Sequence, residues 1–319
     1  MKYVKDFQHI IKSDVSIAGG KGASLGEMTN ADILVPPGFV VLADAFDRFV
    51  DETGIGVEIE ARLKEVNLDD MNSVDKVSNV LKDVIHDTPM PKDLAKEISD
   101  SFDKLGSEYV AVRSSATAED SEVASWAGEL DTFLNTTKDN LVENVKKCWA
   151  SLFTTRAIFY RHEKDLIDAQ VSVAVVVQQM VQSEISGITF TVHPVTQDEN
   201  QMIIEAGFGL GEAIVSGQIT PDSYILSKKE VLIEDINIGM QKKKLQQTKS
   251  SDEKTNANEW IELGEEGEKQ KLNGKQIIEL AELCMKVEKH YGFPSDIEWA
   301  FADEKFFITQ SRPITTLKK

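Results

Sequence analysis

Alternation of apolar and polar positions is clearest near the end of the chain. Asp296-Ile297-Glu298-Trp299-Ala300-Phe301 and Phe306-Phe307-Ile308-Thr309-Gln310-Ser311-Arg312-Pro313 flank a short polar segment. Two apolar-aromatic runs around a polar link predict a β-hairpin. Side chains on a strand alternate between faces. Asp296 and Glu298 therefore share one face of the first strand, and Gln310 and Arg312 one face of the second. A three-residue loop of Asp303, Glu304 and Lys305 sets Glu298 opposite Gln310 and Asp296 opposite Arg312. Such a face is either a solvated strand surface with a cross-strand ion pair, or a Mg²⁺ site of oxygen ligands beside an arginine that holds phosphate.

Further upstream, Val35-Pro36-Pro37-Gly38-Phe39-Val40-Val41 reads as a turn entering a strand. Ala43 to about Asp103 is helical and polar, broken at Pro89 and Pro91, and carries no evident chemistry. Tyr109–Arg113 is a short buried-type strand, and residues 139–161 are an amphipathic helix. Leu141, Val145, Trp149, Leu152 and Phe153 recur at helical spacing and belong to the core. Val171–Val177 is a central strand by its β-branched content, followed by strands at Ser186–Val192 and Met202–Ala206. A second glycine-rich turn, Gly207-Phe208-Gly209-Leu210-Gly211-Glu212, opens a helix-like stretch. From Gln241 to Gly274 the chain is polar and reads as an exposed, partly mobile insertion, with Lys242-Lys243-Lys244 as a solvated run. Gln276–Tyr291 is an amphipathic helix leading into the closing hairpin.

Two stretches add candidate chemistry. Gly19, Gly20 and Gly22 surround Lys21, ahead of a helix expected from Ser24. The Walker spacing and the dinucleotide fingerprint both fail here. What remains is either a plain loop or a flexible backbone able to approach a phosphate beside one lysine. Arg113 ends an apolar strand and needs an anion, because a buried unpaired charge is costly. Its partner is either an internal carboxylate, Glu119 or Asp120, or a phosphate held bidentately. Ser125–Thr132 is a small-residue loop with Gly128 placed where backbone could cover a phosphate chain.

Composition narrows the partners. The chain has 319 residues, enough for two domains, expected at 1–177 and 178–319. Acidic residues number 54 and basic ones 35, a net charge of −19. That argues against nucleic acid or an anionic membrane as partner, since both need a basic footprint. Cys148 and Cys284 lie far apart in helical patterns, as expected of buried thiols in a reducing, cytoplasmic setting. The N-terminus has no apolar secretion core, and the longest apolar run is too short to span a bilayer.

Taken together, six stretches resemble the ATP-binding domain of the phosphoenolpyruvate synthase and pyruvate phosphate dikinase family. They are Gly19–Met28, Val112–Asp120, Trp126–Asn135, Cys148–Phe153, Gly209–Gly217, and Asp296–Trp299 with Gln310–Ile314. They run in order from residue 19 to residue 314, and the chain resembles the ATP-binding domain of rifampicin phosphotransferase about equally. The resemblance implies an α+β, ATP-grasp fold, with two subdomains gripping MgATP between them. It implies that Lys21 and Arg113 hold the triphosphate and that Gly128 and Thr132 lie in the loop closing over it. Gln179, Met180 and Val181 are then the hinge at adenine, with Glu184 at ribose. Glu298 and Gln310 bind Mg²⁺, and Arg312 contacts phosphate. Lys21, Arg113 and Arg312 are the catalytic cations.

One departure accompanies the matches. The family carries its catalytic histidine on a swivelling domain, within a glycine-rich motif that this sequence lacks. The expectation is a phosphotransferase half-enzyme that phosphorylates a histidine-carrier domain or protein in trans. An ATP-grasp ligase making an acyl phosphate is disfavoured by the motifs. A nucleotide-binding regulatory module without turnover is disfavoured by retention of the charged residues.

Overall fold

The computed structural model describes residues 2–117, 131–163, 172–248, 257–315 and 317. The chain divides into two compact units: Met1–Glu27 with Pro37–Met180, and Met28–Pro36 with Val181–Lys319. The division thus falls after Met180, and a nine-residue segment ahead of Pro37 belongs with the later half of the chain.

The first unit is built on strands β1 (Val4–Asp6), β2 (Gly38–Val41), β3 (Val110–Ala116), β4 (Thr132–Thr136) and β5 (Val173–Gln179). They form one sheet in the order β1-β2-β5-β3-β4, antiparallel throughout. One face is apolar: Phe39, Val41, Val110, Val112, Val173, Val175 and Val177 are buried in the main core. Helices Ala43–Thr53, Met71–Asp87, Lys92–Leu105 and Leu141–Ala150 supply most of the rest of that core, with further side chains from Ser151–Phe153 and Thr155–Glu163. Trp149 sits at its centre, with ring centroids 5.7 Å from Phe46 and 5.1 Å from Phe49.

The single helix expected over 139–161 is two. Leu141–Ala150 ends in a 3₁₀ turn, Ser151–Phe153, and a new helix runs Thr155–Glu163. Thr154 adopts an extended conformation (ψ 155°), and its hydroxyl accepts from the Ala157 amide at 3.2 Å. A side-chain cap inside an apolar periodicity starts a second helix without disturbing the buried face. Leu141, Val145, Trp149, Leu152 and Phe153 are all buried core.

The second unit holds β6 (Ile185–Phe190), β7 (Gln201–Phe208), β8 (Asp222–Ser227), β9 (Leu232–Asn237), β10 (Lys243–Thr248), β11 (Ala257–Glu262), β12 (Ser295–Ala302) and β13 (Lys305–Pro313). Six of them form an antiparallel sheet in the order β13-β12-β6-β7-β8-β9, and β10 pairs with β11. Helix Gly274–Tyr291 packs on the sheet. Asn273 caps it by accepting from the Gln276 amide, while the Gln276 side chain accepts from the Asn273 amide.

The polar stretch from Gln241 to Gly274 is not an exposed insertion. Gln241 and Lys271 are buried, as are Leu245, Leu263 and Leu272. The Lys271 ammonium donates to Asp222 at 2.8 Å, to the Gly239 carbonyl at 2.6 Å and to the Gly267 carbonyl at 3.2 Å. Asp222 also accepts from the Tyr224 hydroxyl at 2.7 Å and from the Gly239 and Lys271 amides. A fully satisfied polar network lets lysine and glutamine go inside, which average hydropathy does not register. Residues 249–256 of that stretch lie outside the described set.

Cys148 and Cys284 are free and buried, and burial pushes both thiols well above their usual range. Among the described residues, no helix is long and apolar enough to cross a membrane.

Candidate functional site

In the first unit, the sheet face away from the apolar core carries Arg113, and the helical stretch that contains Lys21 is anchored to the same face. Arg113 on β3 lies directly opposite Thr132 on β4 and Val176 on β5. Ala111, Arg113 and Ser115 share that face by alternation. Ser115 anchors the glycine-rich stretch: its hydroxyl donates to the Ala18 carbonyl at 3.0 Å and accepts from the Gly22 amide at 3.2 Å. Gly19 has φ +68°, and a Cβ there would meet the Ser115 hydroxyl at 2.2 Å and the Ser115 carbonyl oxygen at 2.3 Å. Only glycine fits both that close approach and that conformation.

The glycine stretch was expected as a flexible loop with a helix from Ser24. Instead residues Val15–Asn30 are helical, interrupted only at Gly19. Lys21 is thereby fixed one residue before the bond from Gly22 to β3, two positions along β3 from Arg113. Gly128 lies outside the described residues, together with Glu119 and Asp120.

The same face contains a residue that the sequence reading passed over. Gln178 lies opposite Ala111 and Gly38, on the Arg113 side of the sheet. It is 3% exposed, and its Nε2 finds no hydrogen-bond partner among the described residues. A buried amide donor without an acceptor is costly unless something arrives to accept from it. In the Gln178-Gln179 pair, strand alternation puts the two side chains on opposite faces, and only the β3–β5 register says which faces the cations. The amides of Gln179 and Met180 donate to the carbonyls of Pro37 (2.8 Å) and Tyr109 (3.1 Å), and the Met180 sulfur accepts from the Asn135 amide.

In the second unit, the hairpin register is Asp296 opposite Arg312 and Glu298 opposite Gln310. These are the expected pairs, reached by a different route. The loop has two residues, Asp303 and Glu304, both at positive φ (49° and 57°), and Lys305 pairs with Ala302. That turn alone would shift the register by one. Between the Trp299–Ile308 and Glu298–Gln310 pairs, Thr309 is an extra residue, a bulge that restores the alignment. The Arg312 guanidinium donates to Asp296 through Nε at 2.8 Å, with Nη2 at 2.7 Å, so the cross-strand ion pair is present. Asp296 and Gln310 are buried, while Arg312 is exposed.

Glu205 joins this face unannounced by the sequence pattern. It lies opposite Ile188 on β6, which in turn lies opposite Glu298. Burial, and then the Asp296 carboxylate, push the Glu205 carboxyl above the usual range. Among the described residues, no group of three or more Asp, Glu, His or Cys side chains is arranged to hold a metal ion. Glu298 and Gln310 together offer two oxygen ligands. Glu184 is exposed, with its backbone fixed at both ends: its amide donates to the Phe301 carbonyl and its carbonyl accepts from Gly209.

Comparison with known proteins adds a family. A model described as pyruvate phosphate dikinase, AMP/ATP-binding domain, matches residues 15–319. A probable phosphoenolpyruvate synthase of Archaeoglobus fulgidus is 48% identical over 315 residues, covering 97% of this chain and 41% of that protein. A probable phosphoenolpyruvate synthase of Methanocaldococcus jannaschii is 43% identical over 327 residues, covering 100% of this chain and 27% of its own. The rifampicin phosphotransferase of Bacillus cereus is 38% identical over 319 residues, covering 99% of this chain and 36% of its own. The chain spans less than half the length of each of these relatives.

Proposed function

Given that this chain belongs to the family of pyruvate phosphate dikinase AMP/ATP-binding domains, we propose that it binds MgATP and transfers phosphate to a histidine on a separate domain or protein. The observation that carries this reading is the hairpin register, which sets Glu298 beside Gln310 and Asp296 beside Arg312. In this reading the fold is of the ATP-grasp type. In the first unit, Lys21 and Arg113 neutralise the triphosphate, Gly128 and Thr132 cover it, and the Gln178 amide donates to it. Gln179, Met180 and Val181 line adenine, and Glu184 takes ribose.

Magnesium fits the donor set. It prefers oxygen ligands, keeps several waters and is commonly held by one or two side chains plus substrate phosphates. Glu298 and Gln310 would hold it, and the bound ion would offset charge on the phosphates. Arg312 is oriented by Asp296, so its guanidinium is set in place before phosphate arrives. Positioned cations supply most of the rate in phosphoryl transfer, because charge spreads over the transferred group.

The final acceptor is pyruvate, as in a phosphoenolpyruvate synthase, or rifampicin, as the name of the Bacillus cereus relative suggests. The carrier histidine lies elsewhere. His193 uses Nδ1 to accept from the Val195 and Thr196 amides, and His86 sits between Asp87 and Glu143. Neither is in a glycine-rich setting.

Two measurements test the reading. Calorimetry is expected to give tight ATP binding with Mg²⁺ and a loss of at least tenfold with EDTA or in Glu298→Ala, from one charge-assisted contact of roughly 1.5–3 kcal/mol. Equal affinity in all three would sink the metal assignment. With ATP labelled at the β or γ position, the isolated chain is expected to carry no stable phosphohistidine. Addition of a histidine-domain protein should label that protein and release AMP together with inorganic phosphate, which accounts for both phosphoryl groups lost from ATP. Stoichiometric label on His9, His86, His162, His193 or His290 would mean that the carrier lies within this chain.

A further inference from the structure

Gln241 is completely buried, yet it lies in a polar stretch and belongs to none of the motifs that mark the nucleotide site. Its carboxamide is spent on the backbone of two residues, Phe208 twice and Lys243 once. The Phe208 amide donates to Oε1 at 2.8 Å, and Nε2 donates to the Phe208 carbonyl at 2.9 Å and to the Lys243 carbonyl at 3.0 Å. The pairing of β7 with β8 stops at Ala206–Asp222, while β7 still pairs with β6 at Phe208–Ile185. The Gln241 side chain therefore takes the place of a missing strand at the last residue of β7. Its own backbone is held by the Gly267 carbonyl at 3.0 Å, at a point where a Cβ on Gly267 would lie 1.9 Å from the Gln241 oxygen. The Lys271 ammonium, 5.5 Å from the Phe208 ring centroid, holds the same residue from its side chain.

The residue after Phe208 is where this anchoring is felt. Gly209 has φ +91°, and its carbonyl accepts from the hydroxyls of Ser183 at 3.0 Å and Ser186 at 2.7 Å. Its amide donates to the Glu184 carbonyl at 2.9 Å, and the Leu210 amide donates to the Leu245 carbonyl. Every polar backbone atom of Gly209 thus fixes Ser183–Ser186, with Glu184 in the middle. Glu184 itself is exposed; its backbone is held by this clamp, by the bond from its amide to Phe301, and by the pairing of Ile185 with Phe208 and Phe301 beside it.

We propose that Gln241 is a positioning residue for ribose recognition: by holding Phe208 and Gly209 it fixes the backbone from which the Glu184 carboxylate reaches the nucleotide. The inference rests on the assignment of Glu184 to ribose made above. Its logic is that a hydroxyl-to-carboxylate bond requires the carboxylate to be in place beforehand. A carboxylate on a loosened segment forfeits part of the bond to ordering entropy.

The test uses the full chain, with ATP and 2′,3′-dideoxy-ATP as probes, and reads the ratio of their dissociation constants. Wild type is expected to prefer ATP by about tenfold, the worth of one bond to a charged group. Gln241→Met keeps the volume and removes the carboxamide, and should bring the ratio close to one. Glu184→Ala should do the same. A Gln241→Met protein that binds both nucleotides more weakly by the same factor has lost stability only, which overturns the inference. So does an unchanged ratio in Gln241→Met when Glu184→Ala abolishes it; the ribose assignment then stands without Gln241. A ratio that survives Glu184→Ala removes the ribose assignment, and the inference with it. If Gln241→Met does not fold, Ser186→Ala removes the Gly209 clamp from the β6 side, and the same outcomes apply.

Discussion

Arg113→Ala is expected to weaken ATP binding by about 10- to 100-fold, the loss of a charge-assisted contact of roughly 1.5–3 kcal/mol. Adenosine binding should change little. The expectation comes from the placement of Arg113 on the sheet face away from the main core, opposite Thr132 and two residues from the Ser115 anchor that fixes the Lys21 segment. Arg113→Lys keeps the charge but not the fork, and should recover only part of the affinity, because bidentate geometry is lost. Lys21→Ala should match Arg113→Ala in direction. Calorimetry with ATP and adenosine, beside a melting curve, is the measurement. A variant that melts earlier without ligand and loses both affinities equally would show that Arg113 is a structural ion-pair partner and not a phosphate ligand.

The fold and the site differ in how far the chain discloses them. The hairpin face was legible because strand alternation has a period of two, and Asp296, Glu298, Gln310 and Arg312 obey it. The loop was not. Asp303-Glu304 is an unusual pair for a turn with two positive φ values, which favours Asn-Gly or Asp-Gly, so the sequence suggested a longer loop. The Thr309 bulge then cancelled the difference, leaving the partners correct for a reason that no local pattern displays. The glycine-rich stretch suggested a loop because glycine disfavours helix. It is helical except at Gly19, because tertiary contacts with Ser115 and Val40 override propensity at Gly22.

Buried polar residues were the hardest to see. Gln178 and Glu205 gain meaning only from the register of β3 with β5 and of β6 with β7. Gln241 and Lys271 look like surface residues until their partners at Phe208 and Asp222 are known, 33 and 49 residues away. Hydrophobic periodicity reports which residues avoid water. It cannot report a polar side chain whose hydrogen bonds are all made inside, since that depends on chain segments distant in sequence.

The Asp222–Lys271 pair carries the largest expected effect on stability. Both side chains are wholly inaccessible, and each hydrogen bond of the ammonium and each oxygen of the carboxylate is accounted for. Asp222→Ala would leave an ammonium buried without a counter-charge and strip the Tyr224 hydroxyl and the Gly239 and Lys271 amides of their acceptor. Removing one partner of a buried pair typically costs about 3–5 kcal/mol. Lys271→Met should cost a similar amount, through the stranded carboxylate. The pair itself need not stabilise: desolvation of two charges offsets much of their attraction. The double variant Asp222→Ala with Lys271→Met is therefore expected to be clearly more stable than the sum of the single losses predicts. Urea titration followed by hydrogen exchange on β8 and on the Gly264–Glu268 turn measures each variant where the network sits. Single losses below about 1 kcal/mol, the range of exposed pairs, would mean that water reaches the pair. A double variant equal to the sum of the singles would mean that Asp222 and Lys271 act through their backbone partners and not through each other.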